Sequence, residues 1–427
     1  MPNPRIKAAQ ILQSILEEKI FFGELKKQLS EKDLPFINML MLTTLRRYEA
    51  LQVVLASFLS KKIPHKHRFA NYLLVLAIAE LLFMQTAPYA VINETVANIR
   101  KTTDRFLGGM ANAILRKALA QKIELLYEIE NSNLIPQSFL PVLQGYKSNE
   151  IEQIGQSIVV QPPLDLTVNQ NPEEWAQKLQ GKLLPNGSIR LFNNPKVQSL
   201  MGYNDGEWWV QDVAASLPVQ ILGTDLKGKK VLDLCAAPGG KTAQLAARGA
   251  NVFAIDISAE RLQTLQQNMR RLKFNKVKTQ AIDALDFLQN TKEKFDIILL
   301  DAPCSATGTF RRHPEVLYLK TTVDVKEQAE LQKKLLIAAV NVLKKDGILI
   351  YSVCSISKTE GEYQIAEFLQ NQPQMQLEKI EKADISIYGK WPEDLITSEG
   401  TIRTLPYYFA AEKGMDSFFI CKMKRII

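Results

Sequence analysis

From about Arg5 to Leu126 the apolar residues recur at helical spacing, and no stretch alternates with a period of two. Ala8, Leu12, Ile15 and Leu16 fall at i, i+4, i+7 and i+8, one face of a first helix. Leu73, Leu76, Ala77, Glu80 and Leu81 carry the same texture beyond a basic turn that runs from Lys61 to Arg68. Pro88 interrupts it, and a further helix is predicted to resume around Asn93. The pattern predicts an all-α domain over residues 1–130. Residues 131–225 change character. Leu164 to Asn169 and Ser188 to Phe192 read as short strands between Pro, Asn and Gly turns, a small α+β connector.

From Lys230 the pattern becomes strand, turn, helix, repeated. Val231 to Leu234, Val252 to Asp256, Ile297 to Asp301 and Ile348 to Ser352 are short apolar runs. Helices are predicted over Thr242 to Arg248, Ala259 to Leu272 and Lys326 to Leu343. Near-continuous apolar strands joined by helices indicate a doubly wound α/β domain over 226–427, its parallel sheet covered on both faces. Such sheets bind ligands at the carboxyl ends of their strands.

Length agrees with this division, because 427 residues exceed one ordinary core. The longest apolar run, Leu73 to Met84, carries Glu80 and is too short to span a bilayer. The chain opens on an amphipathic segment, not on the apolar stretch of a leader peptide. The four cysteines form no CxxC pair, and the three histidines make no zinc spacing with them. A cytoplasmic protein with reduced thiols is therefore expected, with no metal site and no membrane association. Charge adds one point. Residues 1–130 hold 18 Lys and Arg against 12 Asp and Glu, most of the net +8, which suits a polyanionic partner. A solvated basic surface is the plainer explanation.

Candidate chemistry gathers at the strand ends. Asp233-Leu234-Cys235-Ala236-Ala237-Pro238-Gly239-Gly240-Lys241-Thr242 passes from a strand into a helix through small residues, with two glycines that allow close backbone approach to a ligand. It is neither G-x-G-x-x-G nor a phosphate loop, since the glycine needed five residues before Gly240 is Cys235. Asp256 closes the next strand and can accept both hydroxyls of a ribose. Asp283 and Asp301 end two more, although either could simply cap a helix. Cys304 and Cys354 follow two strands in turns beside polar groups, so both can reach one carboxyl-edge cleft. Cys235 and Cys421 fit better as small core residues.

These motifs bring a resemblance with them. Residues 225–427 resemble the catalytic domain of the bacterial RNA cytosine-5 methyltransferases. Asp301-Ala302-Pro303-Cys304-Ser305-Ala306-Thr307-Gly308, followed by Arg311-Arg312-His313-Pro314-Glu315, is similar to the RsmB branch (also called Sun or Fmu), which modifies small-subunit ribosomal RNA. Asn93-Glu94-Thr95-Val96 and Asn112-Ala113-Ile114-Leu115-Arg116 resemble the NusB-like RNA-binding domain of that branch.

The resemblance implies a Rossmann-like fold, S-adenosylmethionine as cofactor and small-subunit ribosomal RNA as partner of a monomeric enzyme. Cys235, Ala236, Ala237, Pro238, Gly239, Gly240 and Lys241 would hold the cofactor. Asp256 would lie at the ribose, Asp283 near the adenine, and Asp301 at the methionine and base side. Cys354 would add to carbon 6 of the cytosine and Cys304 would assist product release. Arg311, Arg312 and His313 suit phosphate contact, with a buried Arg–carboxylate pair as the competing reading. Two departures stand out. Ser357-Lys358-Thr359-Glu360-Gly361 replaces the usual Pro-Glu-Glu-Asn, so that loop is expected to be shaped differently around a retained Glu360. Ser417 replaces a glycine and is expected to matter little. The same chemistry on transfer RNA, or an inactive RNA-binding assembly or antitermination factor, are the alternatives. The helical N-terminal domain disfavours the first, and the retained thiols disfavour the second.

Overall fold

The computed structural model describes residues 3–132, 134–193 and 195–427, and these divide into two compact units. One comprises residues up to 141 together with 146–160 and 310–321; the other holds 142–145, 161–309 and 322–427.

The first unit is helical. Its centre is the helix Arg68–Phe83, in which Tyr72 to Leu82 are all buried, and the helices Pro4–Glu17, Leu34–Leu45, Tyr48–Ser57, Pro88–Arg100 and Gly108–Ala120 pack on it. A helix apolar all round needs such a jacket. The one acid in its buried stretch, Glu80, is fully buried and held by Arg5, at 2.8 Å from Nε and 2.6 Å from Nη2. Ala8, Leu12 and Ile15 face this core as their spacing requires. The helix expected around Asn93 begins earlier, at Pro88, because proline fits the first helical position, where its missing N–H costs nothing. No helix among the described residues is long and apolar enough to cross a membrane.

The second unit contains two sheets. The smaller is antiparallel, with strands β1 (Leu164–Val168), β2 (Lys182–Leu183), β3 (Ile189–Leu191) and β4 (Trp208–Val210) in the order β2-β3-β1-β4. Arg190 and Asp165, both fully buried, tie β3 to β1 through two 2.7 Å hydrogen bonds.

The larger sheet has β5 (Lys230–Leu234), β6 (Asn251–Asp256), β7 (Lys278–Ala281), β8 (Phe295–Asp301), β9 (Leu343–Val353), β10 (Met375–Leu377), β11 (Ile402–Arg403) and β12 (Phe419–Arg425). Its order is β10-β12-β9-β8-β5-β6-β7, with β11 beside β12. Strands β5 to β9 are parallel, and β12 runs antiparallel to β9. The chain builds outward from β5 through β6 to β7, then returns to lay β8 and β9 on the other side. That reversal leaves a crevice at the carboxyl ends of β5 and β8.

Candidate active site

A cavity of about 560 Å³ fills this crevice, a size suited to a small organic ligand. Ala237, Ile257, Ala284, Leu285, Ala302, Pro303, Leu331 and Leu335 give it an apolar wall, and Cys235, Asp256, Arg261, Asp283, Asp301, Cys304, Gln328 and Cys354 supply its polar groups.

On the β6–β7 side the acids are fixed by backbone amides. Asp256 Oδ2 accepts from Ala237 N at 3.0 Å and Oδ1 from Ser258 N at 3.0 Å. Asp283 caps the helix Ala284–Asn290, its Oδ1 accepting from Leu285 N and Asp286 N at 2.8 and 3.1 Å. Capping and facing the cavity are thus combined in one residue. A carboxylate has about four acceptor positions, so both acids keep capacity for a ligand.

On the β8–β9 side the partners are side chains. Asp301 accepts from Lys241 Nζ at 2.7 Å and from Ser352 Oγ at 2.9 Å. The two sulfurs, Cys304 Sγ and Cys354 Sγ, are 3.3 Å apart. Register explains the meeting: Asp301 pairs with Ser352 across β8 and β9, so the two cysteine turns leave adjacent strands at one level. Gly308 N closes the first turn onto the Cys354 carbonyl at 3.0 Å. A hydrogen bond to the Cys354 sulfur, burial and the charge of Cys354 push the Cys304 thiol well above the ordinary range. Burial, with Asp301, Asp256 and Asp233 nearby, likewise pushes Cys235 up to about 12.

Beneath the cysteines lies a residue that the sequence singled out only as a survivor in an altered loop. Glu360 is fully buried, and its carboxylate accepts from Ser305 N and Gln332 Nε2 at 2.9 Å each. It also accepts from Ser305 Oγ and, at 2.5 Å, from Ser355 Oγ. The repeated pair Cys-Ser at 304–305 and 354–355 is the one signal in the sequence that marks this arrangement.

Several expected site residues lie elsewhere. Pro238, Gly239 and Gly240 line a separate 150 Å³ hollow with Asn268, Arg271 and Leu272. Gly239 serves packing, since a Cβ there, where φ is +102°, would meet Leu265 Cγ at 2.8 Å, whereas one on Gly240 would make only ordinary contact with Gln211 at 3.4 Å. Ala236 and Lys241 line neither space, although Lys241 reaches the site through Asp301. Arg311 is fully buried within the helical unit, where its carbonyl accepts from Arg46 Nη2 at 2.9 Å. Burial, with Arg47 and Arg311 beside it, pushes Arg46 down to about 10. The phosphate contact expected of Arg311 is corrected accordingly, since its guanidinium has no surface to offer. Arg312 is half-buried, and His313 is exposed with Nδ1 3.7 Å from the Glu315 carboxylate. Cys421 sits in the core of the sheet, as expected. Ser417 is fully buried, and its backbone packs against Gly308, where a Cβ would lie 2.1 Å from the Ser417 carbonyl oxygen.

Comparison with known proteins bears on family and fold. Residues 221–424 match the family described as 16S rRNA methyltransferase RsmB/F, and residues 2–120 match the NusB family. Ribosomal RNA small subunit methyltransferase B of Yersinia pestis is 33% identical over 396 residues, covering 88% of this chain and 92% of the relative. The crystal structure of PH0851 matches the fold over 100% of this chain and 99% of its own, with TM-score 0.73 and 23% identity. That of NSun6 from Pyrococcus horikoshii with SFG covers 68% of this chain and 98% of its own, with TM-score 0.57 and 20% identity. With a relative this similar over most of both chains, the chain belongs to the 16S rRNA methyltransferase RsmB/F family and takes S-adenosylmethionine as its methyl donor.

Proposed function

We propose that the chain methylates carbon 5 of a cytosine in small-subunit ribosomal RNA through a covalent adduct with Cys354. The observation that carries this reading is the pair of thiols 3.3 Å apart beside Asp301 at the rim of the cavity. The cofactor fits the residues present: Asp256 and Asp283 have acceptor capacity for hydroxyl and amine groups, and the apolar wall suits an adenine ring. Cys235 and Ala237 complete its cradle, and Asp301 borders both cofactor and base. When bound, the cofactor supplies an electrophilic methyl group.

Carbon 5 of cytosine is too weak a nucleophile to accept that methyl unaided. The Cys354 thiolate adds to carbon 6, forming a C–S bond and turning the ring into an enamine whose carbon 5 is nucleophilic. Asp301 holds the exocyclic amine and ring nitrogen and stabilises the adduct. After methylation the carbon 5 proton leaves, the C–S bond breaks, and Cys354 departs as thiolate.

The environment of Cys304 fits it for that last stage. Its thiol is held protonated by the hydrogen bond to the Cys354 sulfur, by burial and by the charge on that sulfur, in that order. Once that sulfur is a neutral thioether its charge no longer opposes ionisation of Cys304, which can pass its proton to water and then, as thiolate, take the one from carbon 5 while the C–S bond to Cys354 breaks. The target base must be unpaired or flipped out to reach the site.

The test is a denaturing gel with labelled RNA. Cys354→Ala is expected to abolish turnover and form no adduct while binding cofactor normally. Cys304→Ala is expected to accumulate a covalent RNA–protein species. The reverse pattern would exchange the two roles, and turnover by Cys354→Ala would refute the adduct.

A further inference from the structure

We propose that Glu360 is the positioning residue of the two-cysteine centre, a single buried carboxylate that holds both cysteine turns in register. Its four donors are the Ser305 amide, the Ser305 and Ser355 hydroxyls and the Gln332 side chain. Ser305 and Ser355 directly follow the two cysteines, so each oxygen of Glu360 is one residue away from a sulfur-bearing backbone. Thr307 completes the bridge, with Oγ1 3.0 Å from Ser305 Oγ and 2.9 Å from Ser355 Oγ. Gln332 extends the clamp by donating to the Pro303 carbonyl at 2.9 Å and accepting from the Tyr351 hydroxyl at 2.9 Å.

Burying a carboxylate is costly unless hydrogen bonds replace its hydration. A neutral residue of similar size would fill the same volume at lower cost, so core packing alone does not account for an acid here. What the acid adds is a strong acceptor at both oxygens, which draws together two turns that leave β8 and β9 and are otherwise joined only by neutral hydrogen bonds, such as those of Gly308 and Thr307. Its charge also contributes to keeping Cys304 protonated before the adduct forms, behind the larger effects of Cys354 and burial. The kinetic consequence rests on the cysteine roles proposed above; the spatial one does not.

The experiment therefore reads both. Phenylarsine oxide bridges two neighbouring thiols, forming two As–S bonds and releasing one water, and peptide mass mapping identifies the thiols bridged. In the wild-type protein Cys304 and Cys354 are expected to be bridged rapidly. Glu360→Gln is expected to retain cofactor affinity and to slow bridging at least tenfold. Its kcat is expected to fall about 100-fold at little-changed KM for RNA, the order of loss that misplacement by an ångström brings. Ser355→Ala is expected to slow adduct formation, and Ser305→Ala to prolong the adduct. These two variants carry the test should Glu360→Gln fail to fold. Bridging slowed with turnover intact would uphold the clamp and reject the cysteine chemistry. A folded Glu360→Gln with wild-type bridging, or serine variants with wild-type bridging and wild-type adduct kinetics, would overturn the proposal.

Discussion

The two sides of the cavity are built by different means. On the β6–β7 side, Asp256 and Asp283 are fixed by amides within their own or the neighbouring turn. On the β8–β9 side, Asp301 is held by Lys241 and Ser352, 60 and 51 residues away, and the cysteines meet across a gap of 50. Backbone amides are present whatever the side chains, so the first side is robust to substitution around it. The second exists only while several distant side chains agree. Under the proposed function, groups that only bind are placed by the first means, and groups that act in sequence on one base by the second.

The largest effect is therefore expected on the β8–β9 side. Asp301→Asn weakens the bond to Lys241 and removes the carboxylate proposed to hold the base. Turnover is expected to fall by about 10²- to 10⁴-fold, the range typical of a lost acid–base or polar catalytic group. Single-turnover methylation with labelled donor measures this, and cofactor affinity by calorimetry is expected to change far less. Equal losses in the two measurements would erase the distinction between the sides.

The contrast also explains what could be read from the sequence. The apolar runs of β5, β6, β8 and β9, each ending near a polar turn, announced the sheet and its ligand edge, because strand burial and local turn chemistry are sequence-local properties. The cysteine meeting was legible only as two turns on one edge. Glu360 was not, since its partners Ser305 and Gln332 lie 55 and 28 residues away. Gly239 looked like part of a ligand cradle, yet its lack of a Cβ makes room for Leu265, a packing need no local pattern reveals. Arg311 looked like a phosphate contact beside His313, yet it is buried, its carbonyl accepting from Arg46, 265 residues earlier. The short strands β2 and β4, two and three residues long, carry too little periodicity to be seen.

Asp233 lies in β5, between the two sides, and sharpens the comparison through pH. It is fully buried, with Oδ2 accepting from Thr242 Oγ1 at 2.6 Å. Burial, reinforced by Asp301 and Asp256, pushes its carboxyl from 3.8 up to about 7. The folded state then holds a proton that the unfolded chain releases between those values. Stability from this group is full below the lower value, falls as pH rises through the window and levels off above about 7. The slope is about 1.4 kcal/mol per pH unit at most. Denaturant unfolding at a series of pH values, comparing wild type with Asp233→Asn, should show the variant gaining relative stability across that window. A difference independent of pH would mean that the carboxyl is ionised in the folded protein.

Asp283 gives the smallest effect and the finest test of the backbone-built side, because one residue there serves two purposes. As the cap of the helix Ala284–Asn290, its loss in Asp283→Ala is expected to cost about 1 kcal/mol of stability. Asp283→Asn retains a capping oxygen and should cost only a few tenths of that, because asparagine caps about as well as aspartate. Cofactor affinity should order the variants differently. If the carboxylate contacts the ligand, both substitutions weaken binding, and asparagine does so without the loss of stability. If the cap alone matters, affinity follows stability and Asp283→Asn binds like the wild type. Thermal unfolding beside calorimetric titration of the same three proteins separates the two, and the second outcome would reduce Asp283 to a structural support of the cavity wall.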